Sequence, residues 1–244
     1  MRMRRAIAIA AMIASSISSS AGGSQGPRPD AAGANSAVTQ AVPMIVFDFV
    51  RNVPGAPVPK YTLRVRNDGA ASYEGEALPE RTRYGAAATP EAIPFHRDMS
   101  LTPAATTRIF DLAAQLDHFN RRCASKAKNI ADTGTKTISY TGPDGSGSCT
   151  YNFTEVKELA ALTELIQGIT QTLDAGRELD RLHRYDRLGL DSAMTWLQQE
   201  AAAGRAVELQ TIGESLRSIA GDSDLLARVR AKASALLTQT GAAK

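Results

Sequence analysis

The stretch YTLRVRNDGAASYEGEA, Tyr61 to Ala77, decides how this chain folds. Tyr61, Leu63 and Val65 alternate with Thr62, Arg64 and Arg66, the period of a strand with one buried face. The turn residues that follow allow two registers. A two-residue loop at Asp68-Gly69 would set Leu63 opposite Glu74. A three-residue loop, Asn67-Asp68-Gly69, sets Leu63 opposite Tyr73 and Thr62 opposite Glu74. Cross-strand partners share a face, so the register that keeps apolar with apolar is preferred. It also puts Gly69 where such a loop needs a left-handed residue.

Working upstream, MIVFDFV predicts another strand from Met44, with Ile45, Phe47 and Phe49 on one side and Val46, Asp48 and Val50 on the other. VPGAPVPK then turns the chain, because its prolines cannot continue a ladder. Residues 22–43 are rich in Gly, Ala, Ser, Pro and Gln and read as a flexible tether. Residues 1–21, MRMRRAIAIAAMIASSISSSA, read as a signal peptide for export. Arg2, Arg4 and Arg5 form the positive region, Ala6 to Ala14 the apolar run, and Ser19-Ser20-Ala21 the small residues a signal peptidase accepts. That run is shorter than the roughly 20 residues a bilayer span needs. Arg4-Arg5 leave the twin-arginine route open.

Downstream, Leu78 to His96 is Pro- and Ala-rich without a firm period, and part of it is expected as a long surface loop. A helix from Pro103 to Arg121 is then predicted. Thr102 is its cap, and Ile109, Leu112, Leu116, Phe119 and Cys123 form one buried stripe. Thr135 to Thr141 reads as a strand with Ile138 and Tyr140 on one face. GPDGSGS reads as a flexible turn, and Cys149, Tyr151 and Phe153 face inward on the next strand. Leu159, Leu162, Ile166, Ile169 and Leu173 mark a helix that fades near Gly176 and continues to about Arg184. Its spacing also suits a coiled-coil seam, although packing on the protein's own sheet is preferred. Three further helices are expected. Asp191 caps one that carries Leu190, Met194, Leu197 and Ala201 and closes at Gly204. Leu209, Ile212, Leu216 and Ile219 mark one that closes at Gly221. Ser223 starts the last, with Leu226, Val229, Ala233 and Leu237. The expected fold class is α+β: a small, mainly antiparallel sheet packed against helices over residues 44–184, then a C-terminal α-helical array over residues 185–244 that is either part of one core or a subdomain.

The full chain has 28 basic and 25 acidic residues. Three of those arginines precede Ala21 and no acid does, so beyond the signal the balance is 25 against 25. A zero balance supplies no general attraction for nucleic acid. Arg181, Arg184 and Arg187 could form a local basic patch but read better as a solvated helix face. No segment after the signal is apolar enough to be transmembrane. In an exported chain the two cysteines, Cys123 and Cys149, are expected to form a disulfide; two separately buried thiols are the alternative. Two cysteines without nearby histidine fall short of a zinc set, so no metal and no cofactor is expected.

Candidate chemistry is sparse. Asp132-Thr133-Gly134 spells the aspartic-protease triplet, but that chemistry needs two carboxylates sharing a proton, and the triplet occurs once. The preceding residues Lys126 to Ile130 are also too polar for the expected strand. Turn chemistry explains the triplet better, so Asp132 is read as non-catalytic. His96, His118 and His183 form no metal-binding helix motif, and Asp180 could pair with His183 across one helical turn. Asn152-Phe153-Thr154 matches a glycosylation sequon. Trp196 lies off its helix's apolar stripe and either packs on a neighbouring helix or is an exposed anchor.

The pattern Y-x-L-x-V-x-N-D-G-x-x-x-Y-x-G over Tyr61 to Gly75 resembles a family of exported bacterial domains of unknown function. The likeness extends from about Phe47 to Leu173 and departs at the insert Pro79 to Pro94 and at the helices after Asp180. It implies a fold and no catalytic residue. The expectation is therefore an exported protein, periplasmic or secreted, that is non-enzymatic and binds a protein partner through a sheet edge or helical surface. The alternatives are a hydrolase with an unrecognised site and a self-associating structural component.

Overall fold

The computed structural model describes residues 42–51, 57–78, 91–127 and 129–240. Residues 1–41, which hold the expected signal peptide and nearly all of the expected tether, and residues 79–90 of the Pro79 to Pro94 insert lie outside these residues. Six strands, β1 (Met44–Val50), β2 (Lys60–Arg66), β3 (Ala70–Ala77), β4 (Ile93–Ser100), β5 (Thr135–Gly142) and β6 (Gly145–Tyr151), form one antiparallel sheet in the order β4-β3-β2-β1-β5-β6. The β2–β3 hairpin has the three-residue loop. Leu63 faces Tyr73, Thr62 faces Glu74, and Gly69 takes φ +87°. Ile45, Phe47, Phe49, Tyr61, Leu63, Val65 and Tyr73 are all buried on one face.

That face is covered by α1 (Pro103–Gln115) and the first half of α2 (Lys157–Tyr185). Thr102 caps α1 as expected, its Oγ1 accepting from Ala105 N at 3.2 Å. Leu159, Leu162, Ile166, Ile169 and Leu173 pack into the sheet's own core, so that stripe is satisfied without a partner helix. α2 runs straight through Gly176, and its second half joins α3 (Leu190–Ala202), α4 (Gly213–Gly221) and α5 (Ala227–Gln239) around a second core containing Leu179, Met194, Leu197, Ile212, Leu216 and Val229. No described helix is long and apolar enough to cross a membrane.

Several expectations need correction. The region up to His96 contains β4, whose inward positions are Phe95, Arg97 and Met99. The predicted helix to Arg121 stops at Gln115. Asp117, His118 and Phe119 then take positive φ in a short 3-10 turn. That turn still delivers Phe119 and Cys123 to the core, so one apolar stripe runs on past the end of the helix. GPDGSGS is mostly strand: only Pro143 and Asp144 turn the chain, and Gly142 pairs with Gly145. Phe153 is past the strand and is exposed. Asp191 lies inside α3, where Gly189 is the cap, and binds Lys232 Nζ at 2.8 Å. The last helix begins at Ala227, and Leu225 replaces the exposed Leu226 in the core.

Candidate functional site

An antiparallel strand directs the N–H and C=O of alternate residues to opposite neighbours. This alternation can be followed across the sheet. Asn67 N donates to Pro43 O at 3.0 Å and Arg51 N to Pro59 O at 2.8 Å, so the odd-numbered residues of β1 bond to β2. The even residues of β1 then face β5, the even residues of β5 face β6, and the odd residues of β6 face β5. Ser146, Ser148 and Thr150 are left to direct their backbone groups outward. The 2.9 Å approach of the Thr137 and Thr150 hydroxyls fits the closer side-chain spacing of a non-hydrogen-bonded pair. Among the described residues, the only backbone bond near this edge outside the ladder joins Ser125 N to Phe153 O at 3.1 Å, beyond the end of β6.

The same alternation at the opposite edge leaves Pro94, His96, Asp98 and Ser100 directed outward from β4. Proline has no donor and charged residues resist strand pairing, so this edge is protected. His96 sits there, with Nε2 3.1 Å from Asp98 Oδ1 and Nδ1 3.7 Å from Glu74 Oε2. β6 has neither safeguard. From Gly145 to Thr154 there is no charged residue and no proline. Its solvent face carries Ser146, Ser148 and Thr150 opposite Thr141, Ser139 and Thr137. Its inner face is held by the disulfide from Cys149 to Cys123, whose Cα atoms are 6.0 Å apart. Gly147 is required there, because a Cβ would overlap the His118 carbonyl oxygen.

The other candidate residues are engaged separately. Asp132 Oδ1 accepts from Gly134 N at 2.9 Å, and Gly134 takes φ +92°; the triplet is a turn. Lys136, which sequence reading passed over, is 4% exposed under this turn. Its Nζ donates to Gly134 O at 3.0 Å and Asn152 O at 2.9 Å, and burial lowers its pKa. Asn152 of the sequon is itself bonded, its Oδ1 accepting from Thr133 N at 2.8 Å. His118 stacks on Tyr140 with ring centroids 4.1 Å apart and approaches Asp144 at 3.4 Å. The Tyr140 hydroxyl also donates to Asp144 and holds that carboxyl below its usual range. No hydrogen bond or ion pair joins His96, His118 and Asp132 to one another among the described residues.

His183 pairs with Asp222 at 2.8 Å instead of with Asp180. Arg181 binds Glu178, Arg187 reaches Asp222 and Asp224, and Arg184 lies over the Tyr185 ring, so the arginine face is largely neutralised. Trp196 is 42% exposed and not packed away. A second unanticipated cluster joins sheet to helix. The Tyr73 hydroxyl donates to Asp174 at 3.0 Å, and Arg177 approaches Asp174 at 3.7 Å while stacking 4.2 Å from the Phe95 ring centroid. Burial raises the Asp174 pKa to about 6 against the pull of Arg177 and Tyr73. A cleft of about 380 Å³ between Arg121, Arg122, Glu158 and Leu159 opens beside Cys123. Among the described residues no group of three or more His, Cys, Asp or Glu could hold a metal ion. Compared with protein-family models and with curated proteins, the sequence matches none.

Proposed function

We propose that this is an exported, non-enzymatic domain of the periplasm or extracellular space that binds another polypeptide by adding its strand to β6. The observation that carries the reading is the contrast between the two sheet edges. β4 directs Pro94, His96 and Asp98 outward, whereas β6 directs only Ser146, Ser148 and Thr150. An open, uncharged edge is a template for strand addition, in which main-chain hydrogen bonds supply the affinity. The arginine-led apolar N-terminus and the Cys123–Cys149 disulfide support export, since disulfides persist in oxidising compartments. The separate anchoring of His96, His118 and Asp132 supports a binding role over a hydrolytic one.

The test is amide hydrogen exchange on the chain from Gly22, in buffer and in native envelope extract. Slower exchange at Ser146, Ser148 and Thr150 in the extract is expected. Ser148→Pro should abolish it, because this proline removes an outward donor and leaves the β5 ladder intact. Exchange that is equal in both media and also independent of chain concentration, or undiminished binding by the variant, would overturn the reading.

A further inference from the structure

We infer that the strand added to β6 is the β6 of a second copy of this chain, running antiparallel about a two-fold axis through Ser148. This rests on the strand-addition reading and narrows it to one partner. Two strands related by a two-fold must bring outward-directed residues to face each other, which here means Ser146, Ser148 and Thr150 only. With the axis at Ser148, that residue faces the partner's Ser148, and Ser146 faces the partner's Thr150. Every outward N–H and C=O of all three residues then finds a mate. Sliding the register by two residues in either direction leaves some of them unpaired.

The side chains fit the same register. On the solvent face, hydroxyls meet hydroxyls and extend the ladder already formed with Thr137, Ser139 and Thr141. On the inner face, Gly147 faces the partner's Cys149, and Gly145 faces the partner's Tyr151, so each pair contains a glycine and sets no two side chains directly against each other. No like charges meet within the strand, since Gly145 to Tyr151 carries none. The 25 to 25 charge balance beyond Ala21 removes long-range repulsion between copies. β4 could not self-pair as well, because Pro94 offers no donor. A contact limited to one short strand is small, so the dimer should be weak and reversible.

Sedimentation equilibrium of the disulfide-intact chain from Gly22, across a wide concentration range, tests the inference together with site-resolved amide exchange. The average mass should rise towards twice the monomer mass. Exchange at Ser146, Ser148 and Thr150 should slow in parallel, while Glu74 and Tyr73 stay unchanged. Ser148→Pro and Ser148→Lys should both remain monomeric at every concentration, with near-ultraviolet circular dichroism confirming that at least one keeps the native fold. A monomer at all concentrations would overturn the second copy as partner, as would a dimer that survives both substitutions. If those amides then slow only in envelope extract, strand addition stands with another partner. If they slow in neither setting, both readings fall.

Discussion

At Asp174, a carboxyl sits between the Tyr73 hydroxyl and Arg177 with much of its hydration replaced by protein. Its pKa rises to about 6 from 3.8 because burial outweighs both partners. Below the lower value the group is protonated in folded and unfolded chains and costs nothing. Between the two values the unfolded chain ionises first, so the fold loses stability as pH rises, and above about 6 the loss is complete. Asp174→Asn keeps an acceptor for Tyr73 but cannot ionise. Its melting temperature should match the parent near pH 3, exceed it progressively towards pH 6, and stay above it by a constant margin at higher pH. A difference that shrinks as pH rises would contradict this account. Lys136 is a second charge that burial disfavours, but its ammonium is well supplied with acceptors. Lys136→Met would strand the Gly134 carbonyl, while Asn152 O keeps the Thr133 hydroxyl as donor, and urea unfolding should register a loss of about 1–3 kcal/mol.

At the level of elements, Glu208 links the helical array to the start of α1. Although it is left-handed at φ 57°, its carboxylate accepts from Thr102 N and Thr102 Oγ1, each at 2.7 Å. Glu208→Ala keeps the awkward backbone and loses both bonds, so a destabilisation of about 1–3 kcal/mol is expected in denaturant titration; no change would mean that the clamp is ornamental. Nothing in the sequence around Glu208 announced this role, because the contact spans 106 residues. Elements with a clean period were legible. β1, the β2–β3 register and the stripe of α2 all followed from alternation or from three-and-four spacing. β4 was hidden because an inward position is Arg97, whose guanidinium is satisfied by Thr211 O at 2.6 Å from the distant array. The edge of β6, unpaired among the described residues, was hidden because glycine and serine carry no strand period, so Gly145 to Ser148 read as loop. Cys149 and Tyr151, read together with Phe153, pointed to a strand there, and only the paired register shows which residues face outward.

At the scale of the whole molecule, the question is whether two cores make two folding units. α2 spans 29 residues, contributing Leu159 to Leu173 to the sheet core and Leu179 and Leu182 to the helical core. Unravelling either core would strip the apolar stripe of one half of the same helix, and helical stability in proteins comes mostly from such packing. Further ties cross between them: Glu208 to Thr102, Arg97 to Thr211, and Gln171 Nε2 to Glu200 Oε2 at 3.0 Å. Calorimetry of the disulfide-intact chain should therefore show one transition with equal calorimetric and van't Hoff enthalpies. Gly176, between the two stripes, gives a sharper version of this test. Alanine in a helix interior normally gains about 1 kcal/mol over glycine. Here the added methyl would overlap Ile212 of the second core. Gly176→Ala should lower the melting temperature of the single transition without splitting it. Two resolved transitions, with only the lower one moved by Gly176→Ala, would instead show that α2 can break at that glycine and let the array unfold alone.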